Sequence, residues 1–161
     1  MSQTLSPAFL VRHPAHFLAL GFGAGLAPFA PGTFGTLVAF PLAAWALPIF
    51  GNGGYLLLCA ALFALGCWAC GVTGRDLGVP DHGAIVWDEV VAFMLVLWVI
   101  PAGDAWAIAA FVLFRFFDIV KPPPARIIDL HWKTGFGVMA DDLVAAFYAA
   151  LALALWVRLF A

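Results

Sequence analysis

Charged side chains that could do chemistry are concentrated in one stretch of this sequence. Only 10% of the chain is charged, yet residues 114–142 carry eight of its sixteen charged side chains. Long apolar runs flank this stretch on both sides. Charges packed against the ends of hydrophobic helices are costly to bury, so they indicate a functional site.

Five carboxylates are the first candidates for that site. They lie at the ends of three predicted apolar helices: Asp88, Glu89, Asp118, Asp141 and Asp142. Crowded carboxylates repel one another, and Mg²⁺ relieves that repulsion because a few carboxylates, water and substrate phosphate hold it well. We therefore predict that these five residues bind a metal. The alternative is that each acid stabilises a helix N-terminus or pairs with Arg115 or Lys121.

Two cations accompany Asp118. Arg115, Asp118 and Lys121 recur at three-residue spacing, so they share one helix face if the helix continues to Lys121. This arrangement predicts that Arg115 and Lys121 together bind a phosphate next to Asp118, a predicted metal ligand. The alternative is an ordinary intrahelical ion pair, since Arg and Lys at a bilayer boundary also extend to the surface without a ligand.

A glycine-rich turn, PGTFGT, opens the first long apolar run. Glycine lets the backbone approach an anion closely, and the free N–H groups at a helix start point towards it. The threonine hydroxyls add donors. The turn therefore predicts phosphate-binding residues: Gly32, Thr33, Gly35 and Thr36. Alone, Pro-Gly is also an ordinary turn signal.

The composition indicates how these residues are positioned. Of 161 residues, 65% are hydrophobic, whereas soluble domains have about 45–50%. We predict an all-α fold: a small polytopic membrane helix bundle, 1–161, forming a single domain. It has four to five transmembrane helices, an N-terminal interfacial or re-entrant segment, and a flexible N-terminus at 1–13. A net charge of −2 argues against nucleic acid as a partner.

The apolar runs predict the order of the spans. A first helix follows the glycine-rich turn and ends at a turn at 51–54, and the later helices cover 55–72, 84–100, 105–118 and 143–160. Alternating these spans places the turns at 51–54 and 101–104 on one side and nearly all charged residues on the other. Because Lys and Arg are enriched in cytoplasmic loops, we expect the charged side to face the cytoplasm.

Four segments of the sequence resemble a known family: PGTFGT, IVWDEVVAFM, FRFFDIVKPPPARIIDL and GFGVMADDLVAA. They are similar to the signature blocks of the bacterial phosphatidylglycerophosphatase A family, in the family's order over residues 15–150. The resemblance implies a small Mg²⁺-dependent enzyme of the bacterial inner membrane. Such enzymes remove the terminal phosphate of phosphatidylglycerophosphate and give phosphatidylglycerol.

The resemblance also implies roles for individual residues. Asp88, Glu89, Asp118, Asp141 and Asp142 match the family's acidic positions, and Thr33, Gly35, Arg115 and Lys121 match its other polar ones. We expect Asp118, Asp142, Arg115 and Lys121 to be catalytic, with phosphatidylglycerophosphate and membrane lipid as partners. Small residues in the spans leave a homodimer open.

Two other functions compete with lipid phosphate hydrolysis. A cation or proton transporter would use the acids as a relay, but a relay needs acids along the path through the bilayer. Here the middles of the spans carry no charge. A Mg²⁺-dependent alcohol phosphotransferase is the other alternative, but the chain lacks the D-x-x-D-G-x-x-A-R type of motif.

Overall fold

The computed structural model describes residues 5–160, and every regular element in that range is helical. The elements are α1 (Pro7–Leu10), α2 (Pro14–Ala19), a 3₁₀ helix (Gly21–Leu26), α3 (Pro31–Leu77), α4 (Trp87–Val99), α5 (Asp104–Val120), α6 (Ala125–His131) and α7 (Gly135–Phe160). The predicted all-α class is therefore confirmed.

The N-terminal segment begins with two short capped helices. The Ser6 hydroxyl accepts a hydrogen bond from the Ala8 N–H, and His13 Nδ1 accepts one from the Ala15 N–H. The flexible N-terminus predicted for residues 1–13 falls partly on residues 1–4, which lie outside the described residues. The remainder of that range includes α1.

Helix α3 is a hairpin of two helical halves, 31–50 and 52–77. Gly51 breaks the helix with φ 62° and ψ 179°, a conformation that favours glycine. Both halves pack on α4: the Phe40 and Phe93 rings lie 5.2 Å apart, and the Tyr55 hydroxyl donates to the Met94 carbonyl at 2.9 Å. The turn predicted at 51–54 is present, but it is confined to Gly51, and the helix resumes at once.

Helix α4 lies at the centre of the bundle. Its residues 87–94 are all buried, and the Trp87 indole donates to the Leu62 carbonyl at 3.2 Å. At the other end, the Trp98 indole donates to Asn52 Oδ1 at 3.2 Å. The helix has 13 residues, fewer than the predicted span 84–100. At about 1.5 Å per residue its length is about 20 Å.

Helix α5 ends where three consecutive prolines begin. Val120 is its last residue, and Lys121 adopts a left-handed conformation with φ 47°. Prolines 122–124 cannot donate the backbone hydrogen bonds that a continuing helix needs. The short helix α6 then forms at Ala125–His131, which the sequence pattern did not predict.

Helix α7 begins earlier than predicted, at Gly135 rather than Leu143. The Gly137 N–H donates to the Thr134 hydroxyl at 3.2 Å, which caps the helix start. A Cβ at Gly135 would overlap the Cys67 carbonyl oxygen, and its backbone lies against Gly71. Gly135 therefore lets α7 pack tightly on α3, whereas a Cβ at Gly137 would overlap the Trp132 carbonyl oxygen.

The outer surface of the bundle is strongly apolar. Two helices are long and apolar enough to cross a membrane, Pro31–Leu77 and Gly135–Leu159. Large apolar side chains such as Leu57, Ile108 and Val112 are exposed, with 74%, 64% and 59% of their surface accessible. A soluble monomer rarely exposes apolar patches of this extent, so a membrane environment fits this surface.

Candidate functional site

The five predicted metal ligands meet at one end of the bundle. Asp88 and Glu89 lie in the first turn of α4, and Asp118 lies in the last turn of α5. Asp141 and Asp142 lie about two turns into α7. Because α4 and α7 begin at this end and α5 ends there, residues far apart in sequence become neighbours, and all five are buried.

The position of the acidic pair corrects one expectation. Asp141 and Asp142 were expected at a helix start, where a carboxylate stabilises the N-terminal dipole. That stabilisation falls off within the first turn, so it does not explain a pair two turns inside α7. The two side chains instead face the acids of α4 and α5.

Carboxylate oxygens form a continuous row across this end of the bundle. In each of three groups, one oxygen per residue lies within 4.8 Å of the other two. Asp142 belongs to two groups, and so does Asp141, so the groups adjoin. The groups are Asp88–Asp141–Asp142, Glu89–Asp118–Asp142 and Asp81–Asp129–Asp141.

Four buried oxygens in this row have no hydrogen-bond partner among the described residues. They are Asp88 Oδ1, Glu89 Oε2, Asp141 Oδ1 and Asp142 Oδ2. Buried polar atoms are nearly always satisfied, and an orphaned carboxylate oxygen in the interior is costly. A hard divalent cation such as Mg²⁺ prefers oxygen ligands, and a few carboxylates together with water and substrate phosphate hold it. The residues present therefore fit such an ion.

Arg115 joins three helices at one side of the row. One guanidinium nitrogen, Nη1, lies 2.6 Å from Asp118 Oδ2, 3.3 Å from Glu89 Oε1 and 3.4 Å from the Thr36 hydroxyl. The Arg115 Nε is buried and has no partner among the described residues. This side chain therefore holds α3, α4 and α5 together and keeps one donor available for an anion.

Lys121 lies at the other side of the row. Its ammonium is hydrogen-bonded to Asp141 and lies 3.5 Å from Asp129 and 4.0 Å from Asp81. Burial lowers the pKa of Lys121, but Asp141, Asp142 and Asp81 outweigh this effect and raise the pKa above its ordinary value. Arg115 and Asp118 share one face of α5 as predicted. Lys121 does not continue that face, because α5 ends at Val120 and Lys121 adopts a left-handed conformation.

Asp81 and Asp129 are the site residues that sequence reasoning did not select. Asp81 lies in the loop between α3 and α4, and Asp129 lies in α6. Burial raises the pKa of Asp81; Lys121 opposes this effect and Asp129 adds to it. One signal was present for Asp129, since it falls inside the charge-rich stretch 114–142. Nothing in the local pattern of the loop distinguished Asp81.

The glycine-rich segment 31–36 forms the first turns of α3, and its members face different neighbours. A Cβ at Gly32 would overlap Glu89 Oε1 and lie 3.0 Å from Nη1 and Nη2 of Arg115. A Cβ at Gly35 would instead lie 2.6 Å from the Cβ of Val86. Gly32 therefore adjoins the acids, whereas Gly35 permits packing of α3 against the residue before α4.

The two threonines of this segment also differ. The buried Thr36 hydroxyl donates to the Gly32 carbonyl at 2.9 Å and accepts from Arg115. The hydroxyl proton of Thr36 is already used in the hydrogen bond to Gly32, so Thr36 positions Arg115. Thr33 is half-buried in the first turn of α3. A direct phosphate contact by Thr33, Gly35 or Thr36 stays a prediction.

The chain is similar to proteins of known families over most of its length. The model of the family described as phosphatidylglycerophosphatase A matches residues 17–157. A Haemophilus influenzae protein named phosphatidylglycerophosphatase A is 49% identical over 140 residues, which is 86% of each chain. An Escherichia coli protein of the same name is 42% identical over 142 residues, covering 87% of this chain and 81% of that protein.

A third relative carries a different name. This Bacteroides thetaiotaomicron protein, provisionally named phosphatidylinositol-3-phosphatase, is 39% identical over 149 residues, covering 87% of this chain and 92% of its own. No solved structure matches the chain. The family model matches residues 17–157, and the two phosphatidylglycerophosphatases match this chain over most of its length and of their own. The chain belongs to the phosphatidylglycerophosphatase A family.

Proposed function

We propose that this protein hydrolyses the terminal phosphomonoester of phosphatidylglycerophosphate to phosphatidylglycerol and phosphate, with Mg²⁺ held by the row of carboxylates. The observation that carries the proposal is the set of buried, orphaned oxygens on Asp88, Glu89, Asp141 and Asp142, beside a buried guanidinium with a free donor. The names of two relatives, phosphatidylglycerophosphatase A, support the choice of substrate.

The chain's own residues account for binding of the phosphate. Mg²⁺ held by Asp88, Glu89, Asp118, Asp141 and Asp142 would supply Lewis-acid polarisation of the phosphoryl oxygens. The orphaned Nε of Arg115 can donate to a phosphate oxygen, and its guanidinium adds positive charge where charge develops. Burial strengthens this interaction, because water does not screen it there.

Carboxylates of the row also account for the movement of protons. We assign one carboxylate of the row as the group that accepts a proton from the attacking water, and the predicted catalytic residues Asp118 and Asp142 lie together in one group of that row. The water oxygen forms a bond to phosphorus, and the bond between phosphorus and the glycerol oxygen breaks. The proton then passes to that glycerol oxygen, so the products are an alcohol and inorganic phosphate. Charge stabilisation and positioning provide most of the acceleration in such phosphoryl transfers.

The bundle suits a protein of the bacterial inner membrane with its site at the cytoplasmic face. The two halves of α3, together with α5 and α7, would provide four spans, and the shorter α4 would lie buried among them as a fifth. Arg75, Lys121, Arg126 and Lys133 lie at the end that carries the acids, and Arg158 lies at the opposite end. This distribution of Lys and Arg favours a cytoplasmic site. A homodimer stays a prediction.

The transporter alternative has no support from the geometry. The acids of the row meet at one end of the bundle, whereas a relay would need them at successive depths. The apolar interiors of α3 and α7 carry no charged residue between 37 and 74 or between 143 and 157.

Release of phosphate in detergent micelles tests the proposal directly. We expect the purified protein to release phosphate from phosphatidylglycerophosphate with Mg²⁺ present, to lose that activity in EDTA, and to regain it when Mg²⁺ is restored. Phosphatidylinositol 3-phosphate serves as the comparison substrate, because one relative is named for that lipid. Unchanged activity in EDTA would contradict the proposed dependence on Mg²⁺. Faster release of phosphate from the inositol lipid would contradict phosphatidylglycerophosphate as the substrate.

A substitution at Gly32 tests the contact between α3 and the acids. We expect Gly32→Ala to lower phosphate release about 10–100-fold, because the new methyl group displaces Glu89 and Arg115 and weakens a charge-assisted hydrogen bond of about 1.5–3 kcal/mol. The measurement is kcat/KM for phosphatidylglycerophosphate in micelles.

Gly53→Ala is the matched control for this substitution. A Cβ at Gly53 meets no atom within 4 Å, and alanine favours a helix more than glycine does. The control should keep full activity. Equal activity of Gly32→Ala and the unsubstituted protein would show that α3 can move without affecting the site.

A further inference from the structure

The row of carboxylates contains two adjacent sets of possible ligands that share one residue. Asp88, Asp141 and Asp142 form one set, and Glu89, Asp118 and Asp142 form the other, each with oxygens within 4.8 Å of one another. No other residue belongs to both of these sets. The sets come from α4, α5 and α7, so the fold holds them from three sides.

Unpartnered buried oxygens occur in both sets. Asp88 is 7% exposed and Asp142 is 2% exposed. Asp88 Oδ1 and Asp142 Oδ2 have no hydrogen-bond partner among the described residues. In the second set, Arg115 pairs with Glu89 Oε1 and Asp118 Oδ2, and Glu89 Oε2 has no partner in the part of the chain that the structure describes. One cation at either set would therefore leave orphaned oxygens at the other.

The third group of carboxylates differs because it already contains a cation. The Lys121 ammonium contacts all of its members, Asp81, Asp129 and Asp141. Its positive charge lies where an ion bound by these three residues would lie. The third group therefore needs no metal, and the other two sets remain.

The balance of formal charge in the row favours two divalent ions over one. Seven carboxylates in the row face three cations, Arg115, Lys121 and Lys133, which leaves a formal charge of minus four. Two divalent ions neutralise that charge, and one leaves half of it in place. Unneutralised charge at buried positions is strongly unfavourable.

We propose that the site binds two divalent ions side by side, with the Asp142 carboxylate serving both. Asp88 and Asp141 complete one position, and Glu89 and Asp118 complete the other. The inference rests on the proposed function, since a close pair of ions is a known means of stabilising both the attacking and the leaving oxygen at phosphorus. It assigns Asp142 a different role from that of its four neighbours.

Mn²⁺ is the probe for this inference, because it prefers the same oxygen ligands as Mg²⁺ and is paramagnetic. The experiment uses the full chain in detergent micelles, with equilibrium binding to count ions and electron paramagnetic resonance to detect coupling between them. We expect two ions per chain and a spin-coupled spectrum. One ion per chain at saturation, or two without coupling, would overturn the proposal.

Three variants assign the positions. Asp88→Asn and Asp118→Asn should each reduce binding from two ions to one and abolish the coupling, because each removes a ligand from one position only. Asp104→Asn is the matched control: it lies exposed in the first turn of α5, away from the row, and should keep both ions and their coupling. Retention of both coupled ions in Asp88→Asn and Asp118→Asn would also overturn the proposal.

Phosphate release measured on the same samples separates this inference from the proposed function. Full hydrolysis with one ion bound would contradict the proposal of two ions and would leave the proposed phosphatase function in place. Two coupled ions without hydrolysis of phosphatidylglycerophosphate would support the proposal of two ions and would contradict the proposed phosphatase function. If a variant loses its helical circular dichroism, the ion count and coupling of the unsubstituted protein decide the matter.

Discussion

Asp142→Asn is expected to abolish release of phosphate from phosphatidylglycerophosphate while the helix bundle stays folded. Asp142 is the carboxylate common to the two sets that we propose as metal ligands, and it is 2% exposed. Asparagine has nearly the same shape but lacks the charge that holds a divalent ion. Loss of a Lewis acid worth several kcal/mol corresponds to a decrease of about a thousandfold or more.

The measurement is turnover in Mg²⁺-containing micelles, with helical circular dichroism to show that the variant is folded. Asp104→Asn makes the same chemical change at the opposite end of the bundle and should keep full activity. Turnover of Asp142→Asn within tenfold of the unsubstituted protein would exclude a central role for this carboxylate.

Arg115→Lys is expected to lower kcat/KM about a hundredfold, although the positive charge is retained. The Arg115 guanidinium contacts Asp118, Glu89 and Thr36 through one nitrogen, and its buried Nε has no partner within residues 5–160. A lysine ammonium is a single point of charge and lacks the planar set of donors. Losing one preorganised donor to developing charge typically costs about 10²–10³ in rate.

Arg158→Lys is the control for this change, since Arg158 is exposed near the end of α7, on the side opposite the acids. It should show unchanged kinetics. The split between kcat and KM reports what Arg115 does. A lower kcat indicates contact in the transition state, whereas a higher KM alone would mean that Arg115 contributes only to binding.

Residues with strong local signals made much of the fold predictable. Three prolines end α5 within two residues of the predicted boundary, and the apolar runs identify the long helices. The early start of α7 was not predictable in this way. The Thr134 cap at its start is local, but this first part of α7 packs on α3 only because Gly135 lies against the Cys67 carbonyl, which is a contact between residues distant in the chain. Sequence alone describes such glycines as turn residues.

The sequence was sufficient to predict the acidic residues of the candidate site, but not which acids pair with its cations. The rarity of charge in an apolar chain selected Asp88, Glu89, Asp118, Asp141 and Asp142, and the structure brings them together. Lys121 was expected beside Arg115, and its true partners are Asp81, Asp129 and Asp141. The difference arises because one left-handed residue redirects the side chain, and periodicity does not reveal where a helix stops.

The glycine hairpin of α3 has a practical use. Gly51 and Gly53 lie where an added side chain would meet no atom within 4 Å, at the end of the bundle opposite the acids. Exposed turns with small residues tolerate insertions. A rigid carrier protein inserted next to Gly51, the residue that breaks α3, would enlarge this small membrane protein into a particle that electron cryo-microscopy can align. The carboxylates would then be visualised in an enzyme whose catalytic end had not been altered.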